Sequence, residues 1–330
     1  MTKKLFLPLN CPLAVNVTWS NIAKRNNIEV TSILDDNSVM IPYNGDSAES
    51  YAAHSPNKFM EFSVLGIITD RINIGQYLPA IPAVSCSIPE EFITLFGDIP
   101  IYLKLRTNKY KTSNGTSHLI NKRWNSIMDL SPDAFSLMKS GSLVVCPYIG
   151  EPIQNLEIDF ALNSNSDILI MHCSNHGFIE NNKPANLTNN GTLPNDLLEK
   201  IQDFCKTHSI KNSIHNIQAV QYNGEWVIMD WNPRPSGMYP GFAEHHPGIA
   251  DRGFLHMFDI SSDYIPCAIE LRSFHDITID NSNAKAIRDV GLHPRWIYDK
   301  TKIARIAAVA DSKQEVEELF INLETIINLG

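Results

Sequence analysis

The dipeptide Asn223-Gly224 lies between two apolar runs, Gln218-Ala-Val-Gln-Tyr and Glu225-Trp-Val-Ile-Met-Asp-Trp-Asn232. No other local feature restricts the chain so tightly, because this pair favours the left-handed turn that folds two strands into a hairpin. On the second strand, simple alternation puts Trp226, Ile228, Asp230 and Asn232 on one face and Val227, Met229 and Trp231 on the other. A carboxylate and an amide oxygen on one face are hard ligands suited to Mg2+ carrying a nucleotide phosphate. Arg234, just beyond, offers a planar fork for a phosphate or carboxylate. The register of the hairpin decides whether Gln218 joins them. A plain two-residue loop pairs Tyr222 with Glu225 and sends Gln218 to the opposite face from Asp230. A left-handed bulge at Gly224 pairs Gln221 with Glu225 and lets Gln218, Asp230 and Asn232 converge. The bulged turn is the expectation.

The 330 residues can bury a large core and divide into two or three subdomains. With 43 % hydrophobic and 19 % charged residues the chain reads as globular, not disordered. Acidic residues outnumber basic ones, 36 to 27, which argues against a dedicated nucleic-acid partner. No apolar run approaches the roughly 20 residues that span a bilayer. Pro8, Asn10 and Pro12 break up the N-terminal apolar stretch before it resembles a signal peptide, so the expected location is cytoplasmic. The scattered cysteines include no Cys-x-x-Cys pair and read as small buried hydrophobes.

Along the chain, residues 1–55 read as a small α/β unit with a helix near Thr18–Asn26 and a strand over Ile28–Leu34. Helical spacing runs through Lys58–Ile74. Pro79–Ser87 reads as extended, and a short helix follows over Ile88–Phe96 with Pro89-Glu90-Glu91 in its first turn. In the strand Ile101–Leu105, the residues Ile101, Leu103 and Leu105 line one face and Lys104 projects from the other. A polar loop over 108–118 follows. Leu143–Ile149 is an apolar strand, 156–162 and 167–173 an antiparallel pair, 180–195 a long Asn-rich loop, and 195–206 an amphipathic helix. Near the end come a strand over 303–309 and a helix opened by the capping-box pattern Ser312-Lys-Gln-Glu315.

This order of features resembles the ATP-grasp superfamily of carboxylate-amine, peptide-type ligases over about residues 55–240. Asn57-Lys58 and Pro79–Pro82 match the family's first helix and the x-Pro segment after it. Lys104 matches the lysine that binds phosphate from a strand, and Thr112-Ser113-Asn-Gly115-Thr-Ser stands where the mobile glycine-rich loop belongs. Pro147-Tyr148-Ile149-Gly150 matches the adenine-binding hinge, with Glu151 and Glu157 as alternatives for the ribose acid. Gln218, Asp230, Asn232 and Arg234 match the metal hairpin, Asp230 replacing the usual glutamate.

The resemblance implies an ATP-grasp fold with an N-terminal α/β unit (1–78), a mobile lid subdomain (79–150) and a C-terminal mixed-sheet subdomain bearing the metal site (151–330). It implies ATP and Mg2+ as cofactors, and small-molecule carboxylate and amine substrates, amino acids or peptide-like compounds among them. Lys104 and Lys58 would hold phosphates, Gln218, Asp230 and Asn232 the metal, and Arg234 the activated acyl group. Asp230→Ala should abolish turnover and leave folding largely intact. A kinase acting on a hydroxyl and a non-catalytic nucleotide-binding protein are the alternatives. His245 and His246, after Arg234, are substrate-pocket candidates without an assigned role. A homodimer is the default assembly.

Overall fold

The computed structural model describes residues 3–9, 11, 13–107, 119, 123–149, 155–176, 185–188, 193–236, 247–262, 270–278, 293–298 and 303–310, with single helical positions at 314, 318, 321, 322 and 325. The N-terminal unit is a parallel sheet of β1 (Lys4–Phe6), β2 (Val30–Thr31) and β3 (Ser38–Met40) in the order β2-β1-β3. Helix α1 (Leu13–Arg25) connects β1 to β2. The strand expected over Ile28–Leu34 shrinks to two residues because polar side chains capture the backbone after it. Thr31 Oγ1 accepts from the Ile33 N–H at 3.0 Å and Asp35 Oδ1 from the Asn37 N–H at 2.9 Å.

Helix α2 (Gly45–His54) starts at a capping box in which Asn44 and Ser47 satisfy each other's backbone N–H groups. The helix read over Lys58–Ile74 is shorter than its periodicity. Only α3 (Phe62–Thr69) is α-helical, between 3-10 turns at Pro56–Lys58 and Ile74–Gln76. It stops at Asp70, whose carboxylate accepts from the Ile72 and Asn73 N–H groups at 2.9 and 3.2 Å.

A three-stranded antiparallel sheet follows, with β4 (Ile101–Leu105) between β5 (Arg123–Trp124) and β6 (Leu143–Pro147). Helices α4 (Pro89–Phe96) and α5 (Pro132–Lys139) back it, enclosing Phe92, Ile101, Leu103, Ala134, Met138 and Val145.

The largest sheet has eight strands: β7 (Asn155–Leu162), β8 (Ile168–His176), β9 (Ala185–Thr188), β10 (Ser213–Tyr222), β11 (Glu225–Asn232), β12 (Glu270–Thr278), β13 (His293–Tyr298) and β14 (Ile303–Ala310). Their order is β11-β10-β7-β8-β9-β12-β14-β13. Strand β9 lies inside the stretch read as a loop over 180–195. On one face of β7, β10 and β11, Ile158, Phe160, Ile217 and Trp231 pack under α3 and α6 (Asn195–Thr207). The same face holds His215, which receives a hydrogen bond from Trp231 Nε1 on Nδ1 (3.0 Å) and meets Ser213 Oγ with Nε2 (2.8 Å). Complete burial holds its pKa down at about 3, so the ring is neutral. On the other face, Ala161, Met171 and Ile214 pack with the N-terminal unit and α7 (Pro247–Met257). Gly253 permits that approach, since a Cβ there would stand 2.3 Å from the Met171 side chain.

The extended segment 79–87 knits the two larger sheets together. Ile81 N–H donates to Ile228 O and Ile228 N–H to Pro79 O, at 2.9 and 2.8 Å, covering the open edge of β11. Val84 exchanges both backbone bonds with Val145 of β6, at 3.0 and 2.9 Å. Among the described residues no helix is long and apolar enough to cross a membrane.

Candidate active site

The hairpin turn is the plain two-residue form, not the bulge expected at Gly224. Tyr222 pairs with Glu225, and Asn223 and Gly224 take φ of 53° and 84°. Gln218 nevertheless pairs with Asp230, because the ladder shifts by one residue farther down the strand, between Ala219 and Gln218. Met229 is the extra residue. This bulge also overturns the simple alternation read along β11. Trp226 and Ile228 join Trp231 against the hydrophobic core, and Val227 and Met229 turn to the opposite side with Val220 and Tyr222.

The result is a row of oxygen and amide groups across three strands. Gln218 is in register with Asp230 on one side and Glu157 on the other; Asn216 stands between Asn232 and Asp159. Asn216 Nδ2 donates to Glu157 Oε1 and Asp159 Oδ1, each at 3.2 Å, and Asn232 Nδ2 donates to Asn216 Oδ1 at 3.4 Å. Asp159, 1 % exposed, also accepts from the backbone N–H and the hydroxyl of Ser236, at 3.0 and 2.6 Å. This anchors the chain just past Arg234, whose Nη1 donates to Pro235 O at 2.8 Å. Among the described residues no group of three or more His, Cys, Asp or Glu side chains is placed to hold a metal ion. Gln218, Asp230 and Asn232 offer one carboxylate and two amide oxygens, a donor chemistry that fits a hard cation.

The other wall belongs to β4 and β6. Tyr102 pairs with Cys146 and Lys104 with Val144. Val144 and Cys146 pack against Val220 and Val227 of the hairpin, with Ile81 and Ala83 between the sheets and Ile72, Ile149, Tyr222 and Met229 at the margin. The junction of the two sheets is thus a packed apolar contact with charged side chains beside it. Lys104 is one of them. Loss of solvent lowers its pKa, the Asp230 carboxylate raises it and the Arg71 guanidinium lowers it again, so all three charges act on one another. Arg71 Nη2 donates to Asp230 Oδ1 at 2.8 Å, with the two side chains 10 % and 20 % exposed. Arg71 Nη1 bonds Leu105 O.

Comparison with family models and with curated sequences finds no match. Solved structures do match. A carboxyaminoimidazole ribonucleotide synthase from Aspergillus clavatus, complexed with ATP, superposes with a TM-score of 0.64 at 12 % identity, covering 99 % of this chain and 98 % of that one. The N5-carboxyaminoimidazole synthase from Aspergillus clavatus with ADP and 5-aminoimidazole ribonucleotide gives 0.63 at 13 % identity, covering 99 % of each chain. The N5-carboxyaminoimidazole ribonucleotide synthetase of Thermus thermophilus gives 0.63 at 10 % identity, with 99 % and 98 % covered. The chain has the ATP-grasp fold.

The structure sets Lys104 near Asp230, pairs Gln218 with Asp230 and Asn232 with Asn216 along the hairpin, and places Arg234 at its end. Lys58 goes elsewhere. Its ammonium contacts Asp35 O and lies 3.9 Å from Asp36 Oδ1 in the N-terminal unit. The second cation beside Lys104 is Arg71, which sequence reading missed because its carboxylate partner lies 159 positions away. Glu157, a ribose candidate, stands beside Gln218 in the donor row, with its carboxylate engaged by Asn216.

In the segment read as the hinge, Pro147 has no N–H and the Tyr148 N–H is taken by Pro100 O at 2.8 Å. The Tyr148 ring lies 5.1 Å from that of Tyr102, and the Arg123 guanidinium carbon stands 4.8 Å above it. Ser113, Gly115, Lys109, Lys111, Gly150, Glu151, His245 and His246 lie outside the described residues. Asp159 and Asn216 carried a readable signal that was overlooked. Each lies two residues from a recognised candidate on the same strand face.

Proposed function

We propose that this protein is an ATP-dependent ligase that activates a small carboxylate and joins it to an amine. The observation that carries the reading is the meeting of Lys104, from one sheet, with Asp230 and Arg71 at the junction with the other. The two cations at this junction suit the phosphates of a nucleotide.

A free carboxylate is a poor electrophile. Transfer of the γ-phosphoryl group of ATP to it gives an acylphosphate and ADP; attack by the amine nitrogen then forms the amide and expels phosphate. Such transfers need charge neutralisation and alignment more than covalent help. Lys104 holds phosphate oxygens from the lid sheet, and Arg71 is placed to do so once nucleotide competes for its guanidinium. Arg234 steadies the acyl oxygens. Gln218, Asp230 and Asn232 would hold Mg2+, which would supply positive charge to neutralise the phosphates. In the domain division that goes with this reading, 1–78 forms the substrate-side unit, 79–150 the lid and 151–330 the metal-bearing body.

The structural neighbours support the reading through their fold. One of them is in complex with ADP and 5-aminoimidazole ribonucleotide, a nucleotide together with an amine-bearing small molecule. An ADP-release screen over pairs of small acids and amines, with mass detection of the product, is the test. ADP and phosphate should appear only when both substrates are present. Failure to bind ATP with Mg2+ by calorimetry would remove the reading, and a stable phosphorylated product would replace it with a kinase.

A further inference from the structure

The amide of Asn232 presents a carbonyl oxygen or an amino group depending on how it is turned, and only the oxygen ligates a metal. The network around Asn216 decides which. Glu157 Oε1 and Asp159 Oδ1 lie 3.2 Å from Asn216 Nδ2, and Ile158 O lies 3.5 Å from it. Ionised carboxylates and carbonyls only accept hydrogen bonds, so the amino group of Asn216 faces them and its oxygen faces β11. That oxygen accepts from Asn232 Nδ2 at 3.4 Å, which turns the carbonyl end of Asn232 away from Asn216. Reversing Asn216 would set its oxygen against two carboxylates, and reversing Asn232 would set two carbonyls face to face.

The same carboxylate has a second arm. Asp159 Oδ1 takes the Ser236 N–H and Oδ2 takes its hydroxyl, at 3.0 and 2.6 Å; His172 Nδ1 stands 3.4 Å from Oδ2 on the remaining side. Ser236 follows Pro233-Arg234-Pro235, whose prolines restrict φ on both sides of the arginine. Fixing Ser236 therefore fixes where the Arg234 backbone stands.

We propose that Asp159 and Asn216 are positioning residues. Asp159 sets Asn216, which turns the Asn232 oxygen toward the metal, and through Ser236 the same carboxylate holds Arg234 in place. The inference rests on the nucleotide-and-metal reading above. It concerns residues that touch neither substrate nor metal, and outer partners of this kind commonly govern affinity by 10- to 100-fold.

The test uses the full chain with Mn2+ and ADP as probes. Free Mn2+ is followed by electron paramagnetic resonance at saturating ADP, metal-free ADP binding by calorimetry, and folding by thermal melting. Asn216→Ala and Asp159→Asn should each weaken Mn2+ binding by about tenfold or more, with metal-free ADP affinity held within about twofold. The double variant should be no weaker than the worse single one, because both cut the same relay. Ser236→Ala removes the hydroxyl bond of the arginine arm, keeps the backbone one and leaves Asn216 untouched, so it should lower kcat and leave Mn2+ affinity near wild type. Asp159→Asn sets an amide donor among donors and is the variant more exposed to misfolding, and Asn216→Ala carries the test without it. Unchanged Mn2+ affinity in a folded Asn216→Ala, with wild type binding both probes, overturns the relay alone. A wild-type protein that binds ADP neither with nor without Mn2+ overturns the nucleotide reading, and the relay with it.

Discussion

Asp230 pairs with Arg71 in the structure and is a metal donor in the proposed function, and the two roles have different consequences on substitution. As a metal donor it can be replaced without disturbing packing; as the partner of Arg71 it cannot. The pair is 2.8 Å apart and largely shielded, and Arg71 Nε already has no hydrogen-bond partner. Removing the carboxylate strands a guanidinium, a loss worth roughly 3–5 kcal/mol for a buried pair, with the lower end fitting a carboxylate that keeps some contact with water. Asp230→Ala is thus expected to abolish turnover and to lower stability by about 3 kcal/mol, contrary to the sequence-based expectation of an intact fold. The double variant Arg71→Met, Asp230→Leu should recover most of that stability without activity, since apolar replacement of both partners removes the stranded charge. Urea midpoints decide it: equal midpoints for wild type and Asp230→Ala would discard the pairing as a stability element. His215 gives a pH signature of the same kind. Its pKa falls from 6.5 in the unfolded chain to about 3 in the fold, so the unfolded state gains a proton first on acidification. Stability is fully present above pH 6.5 and declines as pH falls toward 3. Between pH 6.5 and 4.5 the loss from this group is about 2–3 kcal/mol. His215→Gln keeps polar atoms for Ser213 and Trp231 and should flatten that part of the curve, measured by urea unfolding across the range.

The hairpin separates what residue types reveal from what they do not. Asn223-Gly224 specifies a left-handed turn, and the turn is there; the compensating residue is at Met229, where nothing in the side chain announces a bulge. Bulges arise from twist and from the bonding of neighbouring strands, and here Ile228 is tied on its outer edge to Pro79 and Ile81. The strands Ile101–Leu105 and Leu143–Pro147 and the helix Asn195–Thr207 were legible because period and caps are local properties. The candidate metal hairpin and Lys104 were both read from alternation, which holds along Ile101–Leu105 and breaks at Met229 in the hairpin. Arg71 was not, since a cation at a helix end looks like any solvated residue until a distant strand supplies its carboxylate. Lys58 erred in the opposite direction, where the resemblance named a role and Asp35 and Asp36 claimed the side chain. Register set at Met229 makes a distinct prediction for Gly224. A Cβ there meets nothing within 4 Å, so Gly224→Ala costs only the backbone strain of φ +84°, about 1 kcal/mol. The urea midpoint should fall accordingly and kcat and KM should hold, because Gln218 and Asp230 stay paired. Loss of activity at full folding would mean that the turn, not the bulge, governs the site.

Across the whole molecule, the candidate site is a meeting of two sheets held by one extended segment, and Lys104 is the charge that crosses it. Desolvation works against its ammonium, and Asp230 offsets that only in part because Arg71 claims the same carboxylate. Among the described residues, Lys104 and Arg71 share the Asp230 carboxylate at the junction, and in the proposed function a polyphosphate would add negative charge beside both. Lys104→Met removes one cation, keeps the length of the side chain and leaves the Arg71–Asp230 pair whole. Without nucleotide the variant should melt at or above the wild-type temperature, since a poorly solvated charge has gone. With Mg2+ and ATP at about 100 times the wild-type Kd, the wild-type protein should gain about 2.7 kcal/mol by mass action, a rise of roughly 5 °C in Tm. Lys104→Met should lose most of that rise at the same concentrations, because its affinity for the phosphates falls. Differential scanning calorimetry with and without nucleotide measures both arms. An undiminished shift in Lys104→Met would show that the phosphates bind away from Lys104, and the junction between the sheets would then no longer be the nucleotide site.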